Sequence, residues 1–163
     1  MDLYKKMKTF LPKTQTVNKD RFYFVEDNTF IKIDTIIERG RNESKILKIL
    51  NGFELVPKII ESYEEGSLHT LKMEFISGET LENCISLLTK DDKIKIIKDL
   101  TRIISHLFDR NIVHGDINES NIIFNLETKK TYLIDFETSK LENEIFDLGN
   151  YRGLQYIINF INL

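Results

Sequence analysis

One cysteine, Cys84, stands in 163 residues. A lone thiol excludes an intramolecular disulfide and a cysteine-rich zinc site, and it is compatible with a reducing compartment. No run of about 18 or more apolar residues is present, which excludes a transmembrane helix. The start, Met1-Asp2-Leu3-Tyr4-Lys5-Lys6, lacks the apolar stretch of a secretory signal. The expectation is an intracellular, cytoplasmic chain. Charge of one sign is also missing: 23 basic residues face 26 acidic ones, for a net charge of −3. That balance argues against generic nucleic-acid or membrane adhesion. There is no tryptophan, and proline and glycine number two and seven. Such scarcity makes each proline and glycine informative as punctuation. Internal repeats and low-complexity linkers are absent.

What is present fits one globular domain, built as two small lobes. The chain is 41% hydrophobic and 30% charged, too apolar for disorder at this net charge. A chain of this size buries roughly 70% of its unfolded surface. Arg21 to Val25 and Thr29 to Ile33 flank Glu26-Asp27-Asn28, a hairpin signal. Period 2 places Phe30 and Lys32 on one face, Ile31 and Ile33 on the other. Residues 36–50 read as a helix with Ile46, Leu47, Ile49 and Leu50 on its apolar stripe. Residues 58–63 and 68–75 read as a second hairpin around Glu65-Gly66. The second half is mainly helical. A short helix is expected over 80–88, then a capping-box-like start at Thr89-Lys-Asp-Asp92. The helix that follows carries Ile94, Ile97, Leu100, Ile104, Leu107 and Phe108. Short strands are expected at 112–113, 122–124 and 131–136, and a last helix over 144–161. The charges of 86–98 read as a solvated helix face.

The sharpest segment is His114-Gly-Asp-Ile-Asn-Glu-Ser-Asn121, followed by Leu133-Ile-Asp-Phe-Glu137. Two acids and an amide arrive beside apolar strands, where an unpaired carboxylate is costly. Asp116, Asn121 and Asp135 are oxygen donors, the ligand type Mg²⁺ takes when phosphates complete its shell. A bland alternative exists for each one singly, an Asx-turn residue after a strand. His69 and His106 show no metal-ligand spacing with each other or with Cys84.

His-Gly-Asp-x-x-x-x-Asn followed by Ile-Asp-Phe resembles the catalytic core of protein-kinase-like phosphotransferases. The His-Gly-Asp form is similar to atypical members: Bud32, RIO and the aminoglycoside or lipopolysaccharide kinases, with Bud32 the nearest in layout. The resemblance covers roughly residues 20–160. It implies an α+β, minimal bilobal kinase-like fold. A small antiparallel-sheet lobe with one main helix (1–76) would join a truncated, mainly helical lobe (77–163). It further implies ATP with Mg²⁺, or Mn²⁺ in its place. Asp116 would orient or deprotonate the attacking hydroxyl, and Asn121 and Asp135 would hold the metal. Lys32 would bind the phosphates, with Glu43 holding Lys32. Glu74 to Ser77 would form the hinge, with Glu74 and Ile76 offering backbone to adenine and Met73 guarding the pocket behind. His114 would pack the loop, and Asp147 would bond the loop backbone from a helix start.

Departures from the pattern carry equal weight. No glycine precedes Gly40, so the glycine-rich phosphate loop is replaced by residues 13–19. Thr14, Thr16 or Lys19 are the candidate substitutes. Glu137 stands where the family has glycine after Asp-Phe, which puts a carboxylate near the metal. Phe30 takes the place of a smaller residue against the adenine ring and would stack on it or block it. A long activation loop, the later helices and the basic tail of Bud32-type proteins are not expected. The apolar end, Ile157 to Leu163, packs on the large lobe or meets a partner.

The leading expectation is an atypical Bud32-like kinase that phosphorylates protein Ser/Thr or itself. Two alternatives stay open: an ATPase subunit of a tRNA-threonylcarbamoylation-like complex, and a pseudokinase scaffold or decoy. A small-molecule kinase is less favoured, for want of substrate-binding helices. A protein substrate or partner subunit is expected, with no direct nucleic-acid signature.

Overall fold

The computed structural model describes residues 15–18, 20–142 and 148–162. The first half is a five-stranded antiparallel sheet. Its strands are β1 (Gln15–Asn18), β2 (Arg21–Glu26), β3 (Thr29–Asp34), β4 (Ile59–Glu65) and β5 (Leu68–Glu74). They lie in the order β1-β2-β3-β5-β4. The β2–β3 hairpin turns on two residues, Asp27 and Asn28, at φ 45° and 60°. Both φ values are positive, as a type I′ turn requires, and Asp and Asn tolerate that region better than most residues. The turn sets the register, which pairs Tyr23 with Lys32 and Arg21 with Asp34. Opposed residues share a face, so β2 and β3 present Arg21, Tyr23, Lys32 and Asp34 together.

Helix α1 (Ile37–Ile49) packs on this sheet through Gly40, Glu43, Ser44, Ile46 and Leu47. Ile49, expected on the apolar stripe, is instead among the exposed hydrophobics. The stripe is one residue narrower because the buried face also carries a charged glutamate and a serine.

From residue 79 the chain becomes mainly helical. The short helix expected over 80–88 is divided. Glu79–Thr80 forms β6, Leu81–Cys84 forms α2, and Ile85–Leu87 is a single 3₁₀ turn. Helix α3 (Lys90–Phe108) begins with the expected capping box: Thr89 Oγ1 accepts from Asp92 N at 3.1 Å, and Asp92 Oδ2 accepts from Thr89 N at 3.1 Å. Its buried face is Asp92, Ile96, Asp99, Leu100, Ile103, Ile104 and Leu107. Ile94 and Phe108, expected inside, are exposed. Of the charged residues in 86–98, expected on a solvated face, only Asp92 is buried. Beyond that stretch, Asp99 is also buried, and it accepts the backbone N–H of Thr131 at 3.2 Å.

Strand β8 (Ile122–Asn125) pairs with β6 on one side and with β9 (Lys130–Leu133) on the other, and β7 (Ile112–Val113) pairs with β10 (Lys140–Leu141). Helix α4 (Leu148–Phe160) follows. Asp147 lies outside the described residues, as do the side chains of residues 13–19. One cluster of buried side chains runs from Ile46, Leu47 and Leu71 to Ile103, Phe124, Phe136 and Ile161. Sheet and helices therefore share a core, which fixes the two walls of the cleft between them.

Candidate active site

The cleft encloses about 230 Å³ and is lined from both halves. Tyr23, Phe30, Lys32, Met73, Glu74, Phe75 and Ile76 come from the sheet side, and Asn121, Ile123, Ile134 and Asp135 from the helical side. Six of the seven residues expected at the site line this one space: Lys32, Glu43, Glu74, Ile76, Asn121 and Asp135. The seventh, Asp116, is exposed and is joined to them through Asn121.

Lys32 is buried on β3 because the pleat turns it inward with Asp34. Its Nζ lies 2.6 Å from Glu43 Oε2 and 2.9 Å from Asp135 Oδ1. Burial alone would lower the ammonium, but the charges of Glu43 and Asp135 outweigh it and hold Lys32 above the ordinary lysine range. Glu43 also accepts the Phe136 N–H through Oε1, at 3.2 Å. One buried carboxylate of α1 therefore locks both a strand lysine and the backbone beside Asp135. Asp135 sits at φ 64°, the left-handed region that aspartate visits more readily than most residues. That conformation turns its carboxylate back toward Lys32.

The loop from 114 to 121 is built around Asp116. Asn118 donates to its Oδ1 at 2.8 Å and Asn121 donates to its Oδ2 at 2.9 Å. Asn121 Nδ2 also reaches the Asp116 carbonyl at 2.9 Å. With its nitrogen committed, Asn121 has its amide oxygen to offer a cation. His114 is fully buried, and its Nε2 donates to the Ile134 carbonyl at 3.0 Å. Its Nδ1 accepts the Asp116 N–H at 3.3 Å. Burial pushes its pKa down to about 4, so the ring is neutral and both nitrogens are used. Its ring meets that of Phe136 edge-on, 4.7 Å between centroids. His114 is thus a packing residue of the loop. Gly115 sits at φ 86°, and a Cβ there would lie 2.9 Å from the Thr138 carbonyl. This explains glycine between His114 and Asp116.

Three placements escaped the sequence. Asn150 of α4 accepts the His114 N–H at 2.9 Å and donates to the Ile112 carbonyl at 2.8 Å. Asn150 thus bonds the loop backbone from α4; Asp147, expected in such a role, lies outside the described residues. Asn42, one residue before Glu43, donates to the carbonyls of Glu137 and Ser139 at 2.9 and 2.8 Å. Arg21, the first residue of β2, is buried with its Nε on Asp34 at 2.8 Å and its Nη1 on the Tyr23 hydroxyl at 3.0 Å. Its Nη2 meets Glu137. The strand period alone puts Arg21 in phase with Tyr23 and says nothing of its partners.

Phe30 and Tyr23 face each other with ring centroids 5.6 Å apart and planes tilted by 32°. They form an aromatic wall of the cleft opposite Ile123 and Ile134. Beside it, the carboxylates of Asp34, Glu43, Asp135 and Glu137 outnumber the cations paired with them, Arg21, Lys32 and Arg39. Oxygens of Glu43, Asp135 and Glu137 lie within 4.8 Å of one another. Surplus negative charge beside a free amide oxygen suits a divalent cation, so the residues present fit a metal held by Asn121 and Asp135.

A small sheet with one bracing helix, a helical half and a largely apolar cleft between them that carries a few charged groups define a kinase-like phosphotransferase fold. The protein kinase domain family matches residues 24–153, and the chain belongs to that family. The family uses ATP with a divalent metal. Among curated proteins, the chain is 32% identical to the KEOPS complex subunit Bud32 of Pyrococcus abyssi over 109 residues, 66% of this chain and 48% of that one. It is 31% identical to serine/threonine-protein kinase 1 of African swine fever virus over 115 residues, 69% of this chain and 38% of that one. The chain therefore spans half or less of the length of these relatives. Among solved structures, the PK-1 kinase of Cydia pomonella granulovirus superposes with a TM-score of 0.71 at 17% identity, covering 88% of this chain and 60% of that one. That likeness is one of fold. No described helix is long and apolar enough to cross a membrane.

Proposed function

We propose that the chain is an atypical, Bud32-like kinase that transfers the γ-phosphoryl group of ATP to a protein serine or threonine hydroxyl, on a substrate or on itself. One observation carries this reading: Lys32, ion-paired to Glu43 on the sheet side, also reaches across the cleft to Asp135, and on that helical side Asp116 and Asn121 are tied together. The lobes would be residues 1–76 and 77–163.

In this reading Lys32 binds the nucleotide phosphates, and Glu43 fixes it in place. Glu74 and Ile76 offer backbone groups to the adenine edge. Asn121 and Asp135 hold Mg²⁺, or Mn²⁺ in its place. When bound, the cation neutralises charge on the transferring phosphoryl group. Asp116 accepts or orients the hydroxyl proton as that oxygen bonds to the γ-phosphorus and the bond to the bridging oxygen of ADP breaks. Both of its carboxylate oxygens already accept one hydrogen bond, and each has a further lone pair. Positioning and charge neutralisation supply most of the catalysis.

A second reading is an ATPase working as a subunit of a complex. The relative named as a KEOPS complex subunit supports it. Both readings place the chain inside the cell.

The test is paired. Wild type, Asp116→Asn and Asp135→Ala are incubated with γ-labelled ATP, Mg²⁺ or Mn²⁺, and a generic protein acceptor, and both labelled protein and free phosphate are followed. The kinase reading expects labelled protein, reduced about 10²–10⁴-fold in Asp116→Asn, the range for loss of one acid–base group, and abolished in Asp135→Ala. Free phosphate alone, lost in Asp135→Ala, selects the ATPase. Absence of any variant-sensitive turnover, with no metal-dependent ATP binding, overturns both.

A further inference from the structure

The residues that would contact the phosphates are incomplete by sequence, since the glycine-rich loop is missing. In that loop, glycine lets backbone amides approach an anion closely. Without it, something else must neutralise and orient the outer phosphates. Two side chains beside the cleft converge on one point. Arg21 Nη2 and Lys32 Nζ both approach the same oxygen, Glu137 Oε2, the lysine at 3.4 Å.

Each of those cations already has a carboxylate partner on its own wall. Arg21 is held by Asp34 and Lys32 by Glu43. The Tyr23 hydroxyl adds a second fixed contact to Arg21. Arg21 is 7% exposed and Asp34 is 1% exposed, so the guanidinium is aimed before any ligand arrives. With Nε on Asp34 and Nη1 on the Tyr23 hydroxyl, Nη2 is the nitrogen that faces an incoming phosphate oxygen, in an orientation a lysine ammonium would not be held to. Glu137 is the added anion, and it is bound differently. Its backbone carbonyl is pinned by Asn42 at 2.9 Å, while its side chain is 20% exposed. The carboxylate can swing out on its own torsions while the backbone stays in place.

We propose that Arg21 is a phosphate-binding residue of this cleft, standing in for the missing glycine-rich loop, and that Glu137 occupies the position of a nucleotide phosphate oxygen until a nucleoside triphosphate displaces it. The inference rests on the nucleotide-binding reading above and adds to it a phosphate subsite made of Arg21 and Lys32. Binding exchanges one anion for another at the same pair of cations. The cost of moving Glu137 lowers the affinity for the triphosphate and leaves that for the nucleoside unchanged.

The experiment is calorimetric titration of ATP and of adenosine into wild type, Arg21→Met and Glu137→Gln, each in EDTA and again in MgCl₂, with circular dichroism to verify folding. In EDTA, Arg21→Met is expected to weaken ATP about tenfold, the worth of one charge-assisted hydrogen bond. Glu137→Gln is expected to strengthen ATP by several-fold. Adenosine affinity stays constant in both. If Arg21→Met does not fold, Arg21→Lys replaces it and is expected to weaken ATP by several-fold, since it keeps the charge and loses the fixed orientation. Equal weakening of ATP and adenosine would reduce Arg21 to a structural role and overturn the proposal. Weaker ATP binding by Glu137→Gln in MgCl₂, with no gain in EDTA, would make Glu137 a metal ligand and overturn it as well. If ATP and adenosine bind the wild type and the variants alike, this inference alone falls. If neither binds the wild type, the nucleotide-binding reading falls with it.

Discussion

His114 shows how a single buried side chain can set a pH dependence. Its imidazole is neutral, with a pKa of about 4 caused by burial, against about 6.5 in the unfolded chain. A histidine whose folded pKa is depressed contributes stability above the unfolded value. The unfolded state binds the extra proton between those values, so stability falls as the pH drops from about 6.5 toward 4. The loss is roughly 3 kcal/mol from this group. Burial also lowers His69 and His106, so all three act in the same direction. Urea unfolding of wild type and His114→Asn between pH 4 and 7 should show a shallower slope in the variant, by about one proton. Equal slopes would mean that the ring titrates normally in the fold. At this scale the motif residues were legible, because a metal-type donor set beside apolar strands is unusual in any sequence. Arg21 and Asn150 were not legible, because a lone arginine or asparagine acquires meaning only from its partners.

Among the elements, α3 is the one whose start could be read in advance. Thr89 and Asp92 satisfy each other's backbone N–H groups, which removes two of the four unpaired donors at the helix start. Thr89→Ala should cost about 1 kcal/mol, seen as a fall of about 2–4 °C in melting temperature for a domain of this size. Scanning calorimetry would check it, and an unchanged temperature would mean that Lys129, which pairs with Asp92 at 2.9 Å, holds the helix start by itself. The buried face of α3 was harder to read. Ile94, Ile96, Ile97, Ile103 and Ile104 offer more apolar positions than one face can take. Packing against β9 chose Ile96 and Ile103 over Ile94, and Asp99 joined that face because the Thr131 N–H needed an acceptor. Periodicity counts apolar residues and cannot foresee a buried acid with a backbone partner.

For the whole molecule, one core joins the sheet to the helices, so unfolding should be a single cooperative transition. A ligand of the cleft touches both walls and should raise that transition as a unit. At a hundred times its dissociation constant, ATP with Mg²⁺ should add about 2.7 kcal/mol, a rise of roughly 5–10 °C. Scanning fluorimetry with and without the nucleotide measures it. Lys32→Met should abolish the rise, since the substitution removes the phosphate cation from the cleft. Two separate transitions, with only one of them moved by nucleotide, would contradict a shared core.

The sequence by itself determined the local conformations and the chemical inventory. Asp27-Asn28 specified a tight hairpin, Thr89 and Asp92 a helix start, and Asp116, Asn121 and Asp135 an oxygen-donor set, because each of these depends on neighbours a few residues away. Only the tertiary structure decided how the inventory is wired. Lys32 meets Asp135 at a separation of 103 positions and Asn42 meets Glu137 at a separation of 95. The pairing of Arg21 with Glu137 depends on the register of β2 and on the placement of α1 against the sheet. Such contacts are fixed by the packing of one shared core, and no local pattern encodes them.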